Sequence, residues 1–132
     1  MYYMLDTNIC IYIIKQKPPK VLNKFKTLTL GNVGISSITL AELQYGVEKS
    51  LYPQKNKNAL LEFVISLEVV PFDDLAAVHY GEIRTCLEKI GKPIGPLDFM
   101  IAAHARSLNA TLVTNNKKEF KRVPHLTVED WT

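Results

Sequence analysis

Tyr2-Tyr3-Met4-Leu5-Asp6-Thr7-Asn8 is an apolar, aromatic run that stops on a carboxylate and two small polar residues before a second apolar run, residues 9–14, begins. That pattern reads as a buried strand, an acid at its end, and then a helix. In an open parallel α/β sheet, ligands bind beyond the carboxyl ends of the strands, so an acid in that position faces the functional crevice. Asp6 is therefore the first candidate for chemistry. The competing explanation is structural, because Asp and Asn are favoured N-caps and either Asp6 or Asn8 would serve the following helix.

Outward from this strand, the chain alternates. A short helix through Ile9, Ile13 and Ile14 must stop before Pro18-Pro19, and a second runs through Val21, Leu22 and Phe25 with its end marked by Gly31. Residues 33–36 read as a second strand. Ser37 or Thr39 opens a helix through Leu40, Leu43 and Val47, and Pro53 begins another through Leu60 and Val64. A third strand is expected over residues 67–72 and a long amphipathic helix over 75–90, closed by Gly91. The turn 91–96 leads into a small-residue helix from Leu97, followed by a fourth strand at 110–114, a basic helix at 117–122 and a tail ending near Trp131. Strands alternating with helices imply an α/β fold with a central parallel sheet of four to five short strands, covered on both faces.

At 132 residues the chain fits one domain, 1–132, with a core of its own. No basic, apolar and small-residue succession marks a signal peptide, and no apolar run approaches membrane-spanning length, so a cytoplasmic protein with no membrane association is expected. Cys10 and Cys86 sit in apolar helical patterns and read as reduced core thiols of a cytoplasmic protein. His79, His104 and His125 lack the spacing of a zinc site. The net charge of +3 permits an anionic partner without requiring one.

Two further carboxylates compete with capping roles. Asp98 lies in a first helical turn, where an acid suits the macrodipole, yet it shares a stripe with Ile101, Ala105 and Leu108 and so ends an apolar face. A carboxylate there needs a partner or a cation. Glu42 fits a capping box opened by Thr39, and a glutamine would fill that role equally well while ligating a hard cation poorly. Asn116-Lys117-Lys118-Glu119 poses the same choice at the last helix.

Taken together, these stretches resemble the PIN-domain ribonucleases, and specifically the VapC-type toxins of toxin–antitoxin systems. The similarity rests on Met4-Leu5-Asp6-Thr7-Asn8, on residues 37–43 with Gly46, on Gly95-Pro96-Leu97-Asp98 with residues 99–102, and on Val113-Thr114-Asn115-Asn116 with Glu119-Phe120. By position, the resemblance makes Asp6, Glu42 and Asp98 an acidic metal site, with Asp6 and Asp98 the direct ligands and Thr7, Thr114 and Asn116 beside them. Many PIN domains carry an aspartate where this chain has Asn116. The site is then either a three-acid site or one in which Glu119 supplies the fourth carboxylate. The implied cofactor is Mg²⁺, with Mn²⁺ satisfying the same oxygen ligands.

The implied reaction is hydrolysis of RNA phosphodiesters, with a transfer RNA anticodon loop as a frequent family target. Lys92, Lys117, Lys118, Lys121 and Arg122 are the candidates for contacting the RNA backbone. The implied partners are a VapB-type antitoxin and a second copy of the chain in a homodimer. Competing readings are a PIN nuclease of RNA processing, a metal-free RNA-binding module whose acids are all caps, and a receiver domain. A receiver should present an acid pair after its first strand, whereas only Asp6 follows this one.

Overall fold

A computed structural model describes residues 2–29 and 31–132. In chain order the elements are β1 (Tyr3–Leu5), α1 (Thr7–Lys15), α2 (Pro19–Lys26), β2 (Val33–Ser36), α3 (Ser37–Glu48) and α4 (Pro53–Ile65). β3 (Glu68–Val70), α5 (Asp74–Lys89), α6 (Pro96–Ser107), β4 (Thr111–Val113), α7 (Lys117–Phe120) and β5 (Val128–Glu129) complete the chain. All strand pairings are parallel, in the order β3-β2-β1-β4-β5. β1 is central: the chain builds the sheet outward on one side through β2 and β3, then crosses to the other side for β4 and β5. The order therefore reverses between β1 and β4, the kind of switch point at which open α/β sheets open a crevice. Leu5 stands beside Val113 in the register, so Asp6 and Thr114 leave the sheet together.

Side-chain alternation gives the sheet two cores. Met4 and Leu112 face a cluster with Ile83, Leu87, Phe99 and Phe120. Leu5 and Val113 face the opposite cluster with Ile9, Ile35, Leu43 and Trp131. Neighbouring residues in a strand point to opposite faces, and short strands suffice because both faces are buried.

Several boundaries differ from the sequence reading. α2 ends at Lys26, where the Thr27 hydroxyl donates to the Lys24 carbonyl at 2.7 Å, well before Gly31 with its positive φ of 91°. β3 and β4 are each three residues long, and α7 is a single turn. The tail forms β5, which completes the edge beside β4. Among the described residues no helix is long and apolar enough to cross a membrane; both cysteines are unpaired, Cys10 in the core as expected but Cys86 only half-buried on α5.

Candidate active site

Asp6 is 6% exposed and prolongs β1 by one residue, its amide donating to the Val113 carbonyl at 2.9 Å. Its Oδ1 accepts the Ile9 amide at 2.9 Å, so it caps α1 as one reading of the sequence expected. That role does not remove it from the crevice. Burial pushes its carboxyl pKa up to about 6, against the opposing pull of the Thr114 hydroxyl and the Ile9 amide; the charges of Asp98 and Glu42 raise it further. Thr114 is fully buried, and its Oγ1 also accepts the Asn116 amide at 3.0 Å.

Glu42 is not held in a capping box. Ser36 caps α3, its Oγ accepting the Ile38 amide at 3.1 Å, and Thr39 lies inside the helix with a buried hydroxyl that finds no partner. Glu42 Oε1 instead accepts the Thr7 hydroxyl at 2.7 Å, joining α3 to the start of α1. The Asn116 side chain likewise makes no capping bond to α7, which removes the capping box from that end as well.

Asp98 occupies the first turn of α6, after Gly95 as N-cap and Pro96 at the first helical position. A Cβ on Gly95 would come within 3.1 Å of Asp98 Oδ2, so the glycine leaves room for the carboxylate. Burial raises the Asp98 pKa, followed by the charges of Glu42 and Glu119. Asp6, Glu42, Asp98 and Glu119 thus share one electrostatic neighbourhood. The ion pairs among the described residues, Arg84–Glu88 and Arg106–Glu82, lie elsewhere.

Among the described residues, no three acids close on a point tightly enough to clasp a metal ion by direct ligands alone. Carboxylate oxygens are the donors that a hard cation keeping several of its waters takes one or two at a time. Among the described residues no Lys or Arg is ion-paired with these acids.

The basic candidates are less uniformly placed. Lys118 and Lys121 are exposed around the turn that carries Glu119, while Lys117 is half-buried. Arg122 donates to the Pro93 carbonyl at 3.3 Å and ties the end of α7 to the loop leading into α6. Lys92 is exposed in that loop, with no hydrogen bond linking its side chain to the acids. One feature had no counterpart in the sequence reading: Asn115 donates to the Tyr12 hydroxyl at 2.9 Å and accepts from Asn8 at 3.5 Å, forming a polar rim that joins α1 to the end of β4. Strand-end asparagines were the available signal, but their partners lie more than 100 positions away.

A parallel sheet with an acid after its central strand, a second on the helix after β2 and a third at the head of α6 defines a PIN domain, and residues 3–126 match the PIN domain family. Ribonuclease VapC2 of Rickettsia felis is 51% identical over 132 residues, covering 99% of this chain and 98% of its own. The tRNA(fMet)-specific endonuclease VapC of Shigella flexneri is 50% identical over 130 residues, covering 98% of each. The crystal structure of DNA-bound VapBC from Salmonella typhimurium aligns with a TM-score of 0.94 at 47% identity, covering 100% of this chain and 99% of that one. The chain belongs to the PIN-domain family and, within it, to the VapC-type ribonucleases.

Proposed function

We propose that this protein is a divalent-cation-dependent endoribonuclease, the toxin of a type II toxin–antitoxin pair, and that it inhibits translation by cutting transfer RNA. The observation that carries this reading is that Asp6, Glu42, Asp98 and Glu119 lie near enough at the switch point of the sheet for their charges to act on one another, with no cation ion-paired to them among the described residues. Unneutralised like charges are unfavourable unless a ligand compensates them. Full-length similarity to VapC ribonucleases supports the activity, and the Shigella flexneri relative points to initiator transfer RNA as the first substrate to try.

Asp6 and Asp98 would hold the cation, with Mg²⁺ the natural occupant and Mn²⁺ able to replace it. Bound there, it supplies Lewis acidity toward the phosphate and lowers the pKa of water. Glu42, oriented by Thr7, is placed to align the attacking water or accept its proton. Thr114 steadies the Asp6 carboxylate, and Glu119 adds negative charge on the Asp98 side. Asn116 contributes its backbone, tied to Thr114, and its carboxamide is free to face substrate. Lys92, Lys117, Lys118, Lys121 and Arg122 would align the RNA backbone.

The partner is a VapB-type antitoxin, since three solved structures matched at 39–47% identity are VapBC. A homodimer is the expected state, with exposed Tyr45, Leu75 and Val78 available for contacts. Two unpaired thiols fit the cytoplasm, where such a pair would work. Incubating the purified protein with total transfer RNA in Mg²⁺, with EDTA and with Asp98→Asn as controls, and sequencing the cut ends tests the proposal. Discrete cleavage that requires both the cation and Asp98 is expected. Cleavage indifferent to chelation and to the substitution would overturn it.

A further inference from the structure

His104 is a buried polar residue that the reaction above does not use. It is 1% exposed within α6, its ring edge-on to Phe72 with centroids 5.4 Å apart, and its Nδ1 lies 2.7 Å from the equally buried Ser36 Oγ. Burial lowers the ring's pKa, opposed by the Asp73 charge and by a hydrogen bond to the Pro71 carbonyl, so the ring is neutral near pH 7. A neutral imidazole has one donor and one acceptor. Nδ1 and the Ser36 hydroxyl are hydrogen-bonded to each other, and Ser36 Oγ also accepts the Ile38 amide as the cap of α3. The two bonds join α6 to the start of α3. Next to them, the Ser37 hydroxyl accepts the Phe72 amide at 3.0 Å and ties the start of α3 to the exit of β3.

The placement of these bonds relates them to the acids. Glu42 lies six residues after Ser36 along α3, and Asp98 lies six residues before His104 along α6. At the helical rise each acid is about 9 Å along its helix from the Ser36–His104 bond. The two helices pack on each other, and the Asp98 carboxyl feels the Glu42 charge. α3 and α6 are therefore pinned at one end by a buried hydrogen bond and bring like charges together at the other. An apolar residue at position 104 could fill the core, but it would leave the buried Ser36 hydroxyl without its ring partner and remove this bond between the two helices.

We propose that His104 is a positioning residue for RNA hydrolysis, fixing the spacing of Glu42 and Asp98 through its hydrogen bond to Ser36. This rests on the nuclease reading above. The test compares Ser36→Gly, His104→Gln and His104→Asn in the full-length protein. Glycine is itself an acceptable N-cap, so Ser36→Gly removes the bond to the ring while leaving α3 capped. Asparagine places its carboxamide where Nδ1 stood and keeps a partner for Ser36; glutamine reaches past it.

Ser36→Gly and His104→Gln are expected to lower kcat by roughly 10- to 100-fold, the range seen when groups orienting metal ligands are removed, with KM for RNA within about twofold. Both should weaken Mn²⁺ binding, followed by the spin resonance of the ion, and His104→Asn should recover most of both losses. Wild-type kcat and Mn²⁺ affinity in Ser36→Gly, or equal losses in His104→Asn and His104→Gln, would overturn the assignment and leave the ring a core filler. Should His104→Gln not fold, Ser36→Gly decides with the imidazole in place. A wild-type protein that cuts no RNA defeats the nuclease reading alone, and the Mn²⁺ affinities then decide the positioning role.

Discussion

Helix α6 carries a charged group near each end, and the fold treats the two oppositely. Near its C-terminus, Arg106 donates to His79 Nδ1 at 2.8 Å, to Glu82 at 2.8 Å and to the Pro124 carbonyl at 3.2 Å, with its side chain 13% exposed. Each of its partners is supplied by the chain. At the N-terminus Asp98 has acids for neighbours, Glu42 and Glu119, with Asp6 beyond, and no ion pair. Both charges suit the helix dipole, so the dipole does not distinguish them. One cluster is complete in itself and serves stability. The other is incomplete by charge and lies at a sheet switch point, and this is the basis for proposing that it takes a cation and a phosphate.

The most direct attempt to break this contrast is at Asp98 itself. Asp98→Asn keeps the shape and should lower kcat for RNA cleavage by roughly 10²- to 10³-fold, the scale for losing one electrostatic group at a reacting centre. Melting temperature should hold or rise. Wild-type turnover in this variant would put Asp98 in the same class as Arg106, a structural charge.

Asp6 sharpens the comparison through pH. Its folded pKa of about 6 exceeds the ordinary 3.8, so between those values the native state holds more protons than the unfolded chain. Stability from this group is therefore greatest below pH 4 and falls as pH rises through 6, by up to about 3 kcal/mol in the metal-free protein. Asp6→Asn should abolish that decline and raise the melting temperature at pH 7, while Mg²⁺ should stabilise the wild type only. An unchanged stability profile would mean that Asp6 is not under charge stress. At the other end of α6 the expectation reverses: Arg106→Met should lose about 2 kcal/mol, measured by urea unfolding, because His79 and the Pro124 carbonyl lose their donor. Cleavage per folded molecule should not change.

The sequence carried these two regions unequally. Asp6 and Asp98 stood out because local pattern exposes them, one at a strand end and the other heading a stripe whose Ile101 and Ala105 are indeed buried. Leu108, on the same stripe, is 38% exposed because it is already the C-cap of α6. Glu42 was ambiguous because Ser36, Ser37 and Thr39 are all capping types, and only a partner 35 positions away, Thr7, decides between them. The Ser36–His104 bond spans 68 positions and the two-residue β5 exists only as an edge to β4, so neither leaves a periodicity to read. Local signals reached the ends of elements; what those ends touch is tertiary.

Glu42 separates charge from geometry within the acidic cluster. Glu42→Gln retains an oxygen to accept the Thr7 hydroxyl but removes the negative charge. In the role proposed for it, acting on the attacking water and not as a principal ligand, its substitution is expected to lower kcat by about tenfold, less than at Asp98. Full activity would confine Glu42 to holding Thr7, and a loss equal to that of Asp98→Asn would promote it to a direct ligand.

The smallest effect should come from the positive side of the site. Lys118 and Lys121 are exposed, and neither takes part in an ion pair among the described residues, whereas Arg122 is tied to Pro93 and Arg106 to its own cluster. Cations left uncommitted beside an acidic crevice can meet phosphates without first breaking a bond, and each one that does so releases a counterion on binding. Replacing either lysine by glutamine should raise KM for transfer RNA a few-fold, leave kcat in place, and lower the slope of log affinity against log salt by roughly 0.7, the single-stranded value per phosphate contact. The slope is the discriminating quantity, because a lysine that merely solvates its helix would change neither it nor KM. A reduced slope for Lys121→Gln but not Lys118→Gln would put the RNA backbone on one side of α7, and so fix the direction from which substrate approaches Asp98.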